Sequence, residues 1–298
     1  MVYEQRSLKL GMVGLGRMGG GMSARLKQAG LDVVGYDLDP SESDVASIAD
    51  LVAAIDPPRV VWFMVPAGEP TSSAIEEASK SMEPGDVIVD GGNSRYTESI
   101  ARAASLSSRR IGFIDAGVSG GIWGPTEGYC LMVGGEKEHV DALMPIFQAL
   151  APEGGFVHAG PQGAGHFTKM VHNGIEYALM HAFGEGFELL ERSELGIDVN
   201  GTLAAWRKGS VVRSWLLELL VKALDEDEGL HTIAGWAEDS GEGRWTVEEA
   251  IRLGVPLNVI SSALFARFSS RQDSSSAMKV VAALRNQFGG HVVNKLEA

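Results

Sequence analysis

Leu8-Lys9-Leu10-Gly11-Met12-Val13, followed at once by Gly14-Leu15-Gly16-Arg17-Met18-Gly19, is the stretch on which the fold turns. A short apolar run predicts a strand, and the helix-like segment Met18 to Gln28 follows it with a G-x-G-x-x-G turn between them. In such a turn the first glycine allows the tight bend. The second lets a pyrophosphate approach the backbone, and the third lets helix and strand pack closely. A glycine-rich turn can also do no more than connect a strand to a helix. What favours a dinucleotide is the next apolar strand, Leu31 to Tyr36, which ends in Asp37, 18 residues beyond Gly19. A carboxylate at that strand end can accept hydrogen bonds from ribose hydroxyls. Gly14, Leu15, Gly16, Arg17, Met18, Gly19 and Asp37 are therefore expected to bind the cofactor, together with Val65, Pro66 and Ala67 and with Asn93. A 2′-phosphate beside Asp37 would meet like-charge repulsion, and Leu38 cannot pair it, so NAD is expected over NADP.

Outward from this turn, short β-branched runs alternate with longer helix-like segments, the pattern of a parallel sheet wound with helices. Expected strands are Leu8 to Val13, Asp32 to Asp37, Arg59 to Val65, Asp86 to Asp90, Ile111 to Ala116 and Tyr129 to Val133. Expected helices are Met18 to Gln28, Ser72 to Ser81, Arg95 to Ser105 and Lys137 to Leu150. After Gly160-Pro161-Gln162-Gly163 the β-branched runs become rare and apolar residues recur every three or four positions. The expected fold is thus α/β: a Rossmann-like, doubly wound N-terminal domain over residues 1–161, then an all-α helical domain over 162–298 for substrate and oligomerisation. The first helix of that domain is predicted from about Ala164 to about Glu194. Asp225-Glu226-Asp227-Glu228 reads as a solvated loop or helix end.

Composition limits the function classes. The 298 residues suffice for two domains, and 45% apolar with 21% charged residues fits a folded globular chain. Its 25 Lys and Arg against 39 Asp and Glu leave a net charge of −14. That field repels nucleic acid and anionic membranes, so neither is an expected partner. No apolar run has the length of a membrane span, and no signal peptide is evident at the start. A single cysteine, Cys130, forms no internal disulfide, so the expected location is cytoplasmic. Cys130 itself is expected to be buried in its strand and inert.

A second segment carries chemistry: Lys169-Met170-Val171-His172-Asn173-Gly174-Ile175-Glu176-Tyr177. On a helix Lys169 shares a face with His172, Asn173 and Glu176, at offsets of three, four and seven, and Tyr177 follows Asn173 by four. A polar stripe on an otherwise apolar helix is costly unless its members pair with one another or with a ligand. A satisfied internal network, such as a Lys to Glu bridge, is one reading. A metal held by His172 and Glu176 lacks further ligands, and no metal site is expected. The remaining reading is acid/base chemistry beside a nicotinamide, where a partly buried Lys can lose its charge and accept a proton. His166, one turn earlier, either borders the site or caps the helix start.

The same residues resemble the active-site helix of the decarboxylating 6-phosphogluconate dehydrogenases, within the wider β-hydroxyacid dehydrogenases. Asp90-Gly91-Gly92-Asn93-Ser94 and Asp115-Ala116-Gly117-Val118-Ser119-Gly120-Gly121 resemble that family's cofactor and substrate loops. Arg285-Asn286-Gln287-Phe288-Gly289-Gly290-His291 resembles the tail element that serves a neighbouring subunit's site in the family. The resemblance implies oxidation of 6-phosphogluconate at C3, loss of C1 as CO2 and formation of ribulose 5-phosphate. It implies Lys169 as general base and Glu176 as the acid. Asn93, Ser119, Gly120, Gly121, His172 and Asn173 are implied as substrate contacts, and Tyr177, Arg267, Arg285 and His291 at the phosphate end. The chain is similar to the family's compact form, which implies a homodimer or homotetramer with shared sites. Two departures stand out. Asp37-Leu38 replaces the Arg usual in NADP-specific members. Longer members place a Lys and a Thr around a Gly-Thr-Gly-Lys-Trp-Thr segment as phosphate ligands, and the segment here is Ser240-Gly241-Glu242-Gly243-Arg244-Trp245-Thr246, read with Ser240 and Glu242 at those positions. A non-decarboxylating dehydrogenase of a small 3-hydroxy acid, or a dinucleotide-binding protein without turnover, are the alternatives. The first has no need of Glu176, Tyr177, Arg285 and His291, and the second no need of Lys169 and Glu176.

Overall fold

The computed structural model describes residues 9–294. The strands are β1 (Lys9–Val13), β2 (Asp32–Tyr36), β3 (Val60–Phe63), β4 (Val87–Asp90), β5 (Gly112–Ser119), β6 (Cys130–Gly135) and β7 (Phe156–Gly160). The helices among them are α1 (Arg17–Gln28), α2 (Ile48–Ala53), α3 (Glu69–Ser81), α4 (Tyr96–Ser107), α5 (Gly124–Glu127), α6 (Lys137–Ala142) and α7 (Met144–Leu150). They form one sheet in the order β2-β1-β3-β4-β5-β6-β7. The order reverses between β1 and β3, which is where open α/β sheets bind ligands, outside the carboxyl ends of the strands.

Each inner strand is buried on both faces, and alternate residues feed two separate cores. Leu10, Met12, Val60, Trp62, Val87 and Val89 pack on one side with Met22 and Leu26 of α1 and Ile146 and Phe147 of α7. Val13, Val61, Phe63 and Ile88 pack on the other side with Leu51 of α2, Ile75 of α3 and Leu106 of α4. A continuous apolar strand is what burial on both faces requires.

Four expectations change. The sheet is not wholly parallel, because β6 runs antiparallel to β5 and β7 is parallel to β6. The segment Lys137 to Leu150 is two helices, broken at Leu143, with Pro145 in the first turn of the second, where proline is accommodated. The stretch Asp115 to Ser119 belongs to β5 rather than to a loop, and only Gly120 and Gly121 leave it. Cys130 is exposed, not buried. Tyr129 takes the interior position, fully buried, and the first residue of β6 then faces outward.

The chain divides into two compact units at His172/Asn173, within the continuous helix α8 (Ala164–Glu191). The second unit continues with α9 (Val199–Trp206), α10 (Trp215–Glu226), α11 (Glu242–Leu253), α12 (Asn258–Ser270) and α13 (Ser276–Gly289). In α10 the buried residues Leu217, Val221 and Leu224 recur at helical spacing, and Ser214 caps its start by accepting from the Leu217 N–H. They pack with Leu203 of α9 and with Phe183, Phe187 and Leu190 of α8. The acidic run 225–228 lies at the end of α10, as expected for a solvated helix end. No helix among the described residues is long and apolar enough to cross a membrane.

Candidate active site

The glycine turn fits a dinucleotide. Gly14 has φ +90°, and a Cβ there would stand 2.6 Å from the Met64 carbonyl oxygen. Gly19 is tighter, since its Cβ would lie 1.9 Å from the Gly14 oxygen. Gly16 is the reverse case: nothing lies within 4 Å of its added Cβ. It is also the N-cap of α1 and caps it with no side chain, so the first-turn N–H groups keep their capacity for an anion. Arg17 is exposed beside it and Met18 half-buried. Leu15 is tied down from the other strand, because its N–H donates to Asp37 Oδ2 at 2.6 Å. Asp37 Oδ1 accepts from the Asp39 N–H at 3.0 Å. The carboxylate predicted to meet ribose thus also sets the shape of the phosphate turn, and each oxygen keeps a second lone pair for a hydroxyl.

Val65, Pro66, Ala67 and Asn93 follow the carboxyl ends of β3 and β4, and β3 lies between β1 and β4 in the sheet. The Thr71 hydroxyl holds the Pro66 carbonyl at 2.8 Å. Asn93 is exposed, and the backbone before it is fixed by Asp90, fully buried, which accepts from the Gly92 N–H at 3.2 Å and from Arg102 at 3.0 Å.

Asp115 anchors the start of α8. Its carboxylate, fully buried on β5, accepts from the Gly163 N–H at 2.6 Å and the His166 N–H at 2.8 Å. A negative charge at a helix N-terminus is favourable twice, through the hydrogen bonds and through the aligned peptide dipoles. His166 belongs to this anchor: its backbone is capped by Asp115, and its buried ring meets the Ser99 hydroxyl at 2.7 Å. One turn on, Lys169 crosses β5 at Gly117, where a Cβ would come within 2.4 Å of Lys169 Cβ. The lysine is 6% exposed. His172 Nε2 lies 3.4 Å from the Ser119 hydroxyl, so two of the expected substrate residues are together, with Gly120 and Gly121 next along the chain.

In the second unit Asn173, Tyr177 and Arg267 join one network. The Asn173 Nδ2–H donates to Glu242, and the Ser240 hydroxyl donates to the same Glu242 oxygen at 3.0 Å. The Ser240 N–H donates to the Tyr177 hydroxyl at 2.9 Å. The Arg267 guanidinium lies 3.4 Å from the Tyr177 ring centroid and donates to the Glu238 carbonyl at 2.9 Å. Glu176 is half-buried on α8. Arg285, on α13 one turn before its end, and His291 beyond the helix are exposed, and among the described contacts Arg285 does not join this network.

Sequence reasoning missed a second cluster beside it. Asp239, with its side chain 3% exposed, accepts from Arg244 at 2.6 Å and 3.0 Å and from Arg271 at 2.8 Å. The Arg244 hydrogen bonds hold its carboxyl far below the usual carboxylate range, against the opposing effect of burial, and Arg271 adds to them. Arg244 and Arg271 were the available signal, but separations of 5 and 32 residues from Asp239 gave no spacing to read. Asp239→Asn is expected to lower the stability of this region by about 1–2 kcal/mol at neutral pH, since Arg244 is half exposed and partly screened. Because the folded carboxyl is depressed, its contribution is complete above the ordinary aspartate value of 3.8 and fades as pH falls below it. Urea melts should show a constant gap between variant and wild type from pH 8 to about pH 5 that narrows in stronger acid.

Comparison with known proteins gives the same outline. Residues 9–160 match the NAD binding domain of 6-phosphogluconate dehydrogenase, and residues 165–297 match the 6-phosphogluconate dehydrogenase C-terminal domain. YqeC of Bacillus subtilis (strain 168), provisionally named a 6-phosphogluconate dehydrogenase, is 41% identical over 97% of this chain and 100% of its own. The NAD(+)-dependent, decarboxylating 6-phosphogluconate dehydrogenase of Haloferax volcanii is 40% identical over 96% of this chain and 98% of its own. Among solved structures, the Plasmodium falciparum 6-phosphogluconate dehydrogenase superposes with a TM-score of 0.79 at 26% identity, covering 97% of this chain and 67% of that one. With both domain models matched in order across nearly its whole length, this chain belongs to the 6-phosphogluconate dehydrogenase family.

Proposed function

We propose that the protein catalyses the oxidative decarboxylation of 6-phosphogluconate to ribulose 5-phosphate and CO2, with NAD as the oxidant. The observation that carries this reading is Lys169, buried on α8 directly against β5, beyond a helix start that Asp115 fixes, on the helix face that also bears Glu176. NAD supplies the acceptor for the hydride that leaves C3.

Lys169, as the uncharged amine, takes the proton of the 3-hydroxyl while the hydride leaves. The resulting 3-keto group is an electron sink. When the C1–C2 bond breaks, its electron pair moves toward that carbonyl, and Lys169 returns its proton to the oxygen. Glu176, two helical turns along the same face, then protonates the carbon that carried the carboxylate while Lys169 takes back the enol proton. Two carriers that exchange protons in sequence suffice, because the keto group holds the charge between steps. Asn93, Ser119, Gly120, Gly121, His172 and Asn173 hold the sugar acid. Tyr177, Arg267, Arg285 and His291 take the phosphate, which makes a local positive site within a chain of net charge −14. In this reading residues 1–161 serve the cofactor and 162–298 the substrate and subunit assembly, in a reducing, cytoplasmic compartment.

The test is kcat/KM with NAD for 6-phosphogluconate, gluconate and 3-hydroxyisobutyrate. The phosphorylated acid should exceed both others by about 10²-fold or more, the scale expected when a site's charged groups are left without their partner. Comparable rates with 3-hydroxyisobutyrate would favour the non-decarboxylating alternative.

We also propose a homodimer or homotetramer in which the tail completes a neighbour's site. The exposure of Arg285 and His291 supports it. Light scattering at assay concentration should then give at least twice the 31.7 kDa of one chain. A fully active monomer would contradict it.

A further inference from the structure

Helix α4 buries an arginine. Its buried residues Ser99, Arg102 and Leu106 recur at helical spacing, so the face that packs inward carries a guanidinium. A buried charge is costly unless it is paired and hydrogen-bonded. Arg102 Nη1 donates to Asp90 Oδ2 at 3.0 Å, and Nη2 reaches Glu98 Oε2 at 2.9 Å, the Ser72 hydroxyl at 3.0 Å and the Gly68 carbonyl at 3.4 Å. Two of these partners belong to different loops. Gly68 ends the loop between β3 and α3, whereas Asp90 ends β4 and accepts from the Gly92 N–H through its other oxygen. One guanidinium thus ties together the loops that leave the carboxyl ends of two neighbouring strands. The loops also meet directly, since a Cβ on Gly92 would stand 2.9 Å from the Val65 carbonyl oxygen.

The other end of β4 holds a similar pair. Asp86, buried just before the strand, accepts from Arg59 Nη1 at 3.1 Å and from the Arg59 N–H at 2.7 Å. That pair lies at the amino end, away from the side on which open α/β sheets bind ligands. Either pair can serve stability. Only the Arg102 pair joins two loops on the ligand side of the sheet.

We propose that Arg102 is a positioning residue for NAD, fixing the loop after β3 against the loop after β4 so that Val65, Pro66, Ala67 and Asn93 meet the cofactor as one preset surface. This rests on the reading that those four residues contact NAD. A guanidinium suits the task because its planar fork bonds in fixed directions to several partners at once, whereas an ammonium is a compact point charge.

The experiment compares the two ends of β4 in the full-length enzyme. Arg102→Lys keeps a positive charge beside Asp90 and loses the fork. It should raise the Kd of NAD in a fluorescence titration about 10-fold and lower kcat/KM for NAD about 10²-fold, the scale for a small misplacement at a reacting centre. Arg59→Lys makes the same change at the amino end and should lower Tm by a similar amount, with the Kd of NAD and kcat/KM within about twofold of wild type. Where Arg102→Lys does not fold, Arg102→Met combined with Asp90→Asn removes both charges together, which a buried site tolerates better than one charge left alone, and should show the same loss of NAD affinity. A fall in Tm with an unchanged Kd for NAD would overturn the proposal, as would equal effects of Arg59→Lys and Arg102→Lys on NAD. Wild-type protein that does not bind NAD would overturn the reading of the cofactor site itself, whereas NAD binding that Arg102→Lys leaves intact would overturn this proposal alone.

Discussion

Lys169→Met is expected to cut turnover of 6-phosphogluconate by about 10²- to 10⁴-fold, the range for loss of a positioned acid/base group. Methionine keeps the unbranched chain that passes Gly117, where there is no room for an extra atom, so the packing of α8 on β5 should survive. The amine is the one feature removed. It is needed at three points: to take the hydroxyl proton, to return it as CO2 leaves, and to take it again as the product tautomerises. Substrate binding should weaken less than catalysis. NAD affinity should stay within about twofold, because Lys169 lies on α8 beside β5 whereas the glycine turn follows β1. Steady-state kinetics with a fluorescence titration of NAD separates the two. Activity within tenfold of wild type would remove Lys169 from the mechanism.

The second large effect concerns two glycines three residues apart. Gly19→Ala places a Cβ 1.9 Å from the Gly14 oxygen and 3.0 Å from Met64 Cβ. Neither neighbour can give way cheaply, since Gly14 is hydrogen-bonded to the Tyr36 carbonyl at 2.8 Å and Met64 to the Val13 carbonyl at 2.7 Å. The variant should lose about 2–3 kcal/mol of stability and, with the turn opened, most NAD binding. Gly16→Ala meets nothing within 4 Å and has φ −60°, so the fold should be untouched. Its methyl group would instead occupy the approach of the pyrophosphate, and NAD affinity should fall about 10- to 100-fold with no change in Tm. Thermal melts paired with NAD titrations distinguish a turn that serves a ligand from one that only joins strand to helix. An alanine at 16 that binds NAD normally would support the latter.

Much of the fold was legible because burial on both faces leaves a plain mark. Runs such as Val60 to Phe63 and Val87 to Asp90 are apolar at every position or nearly so, and only a central strand tolerates that. Direction is another matter. β6 reads like its neighbours, and nothing in Cys130 to Gly135 says that it runs antiparallel, since side-chain alternation is the same either way. β7 and α2 escaped for want of length and contrast: Phe156 to Gly160 alternates between half-buried and exposed, and Ile48 to Ala53 is too short for a helical period. The error at Cys130 came from reading a whole run as buried when its first residue faces outward.

The candidate site was legible where it is local. The glycine turn and the stripe on α8 lie within short windows, and residue chemistry at fixed spacing suffices to find them. Contacts across long separations were not. Asp37 shapes the phosphate turn from 22 residues away, Asp115 caps α8 from 48 and 51 residues away, and Glu242 meets Asn173 across 69. Glu242 shows the difference most clearly. As a letter in a motif it is a carboxylate in the wrong place, and as a buried acceptor it completes a network.

We propose that both hydride removal and loss of C1 depend on Lys169 and Glu176, seven residues apart on α8. The most direct measurement follows 6-phosphogluconate labelled with ¹⁴C at C1, with NAD, and compares the NADH formed with the labelled CO2 released. One CO2 should appear for each NADH, with ribulose 5-phosphate as the remaining product. NADH formed with the label retained in an acidic product would rule out this chemistry and identify a dehydrogenase that does not decarboxylate.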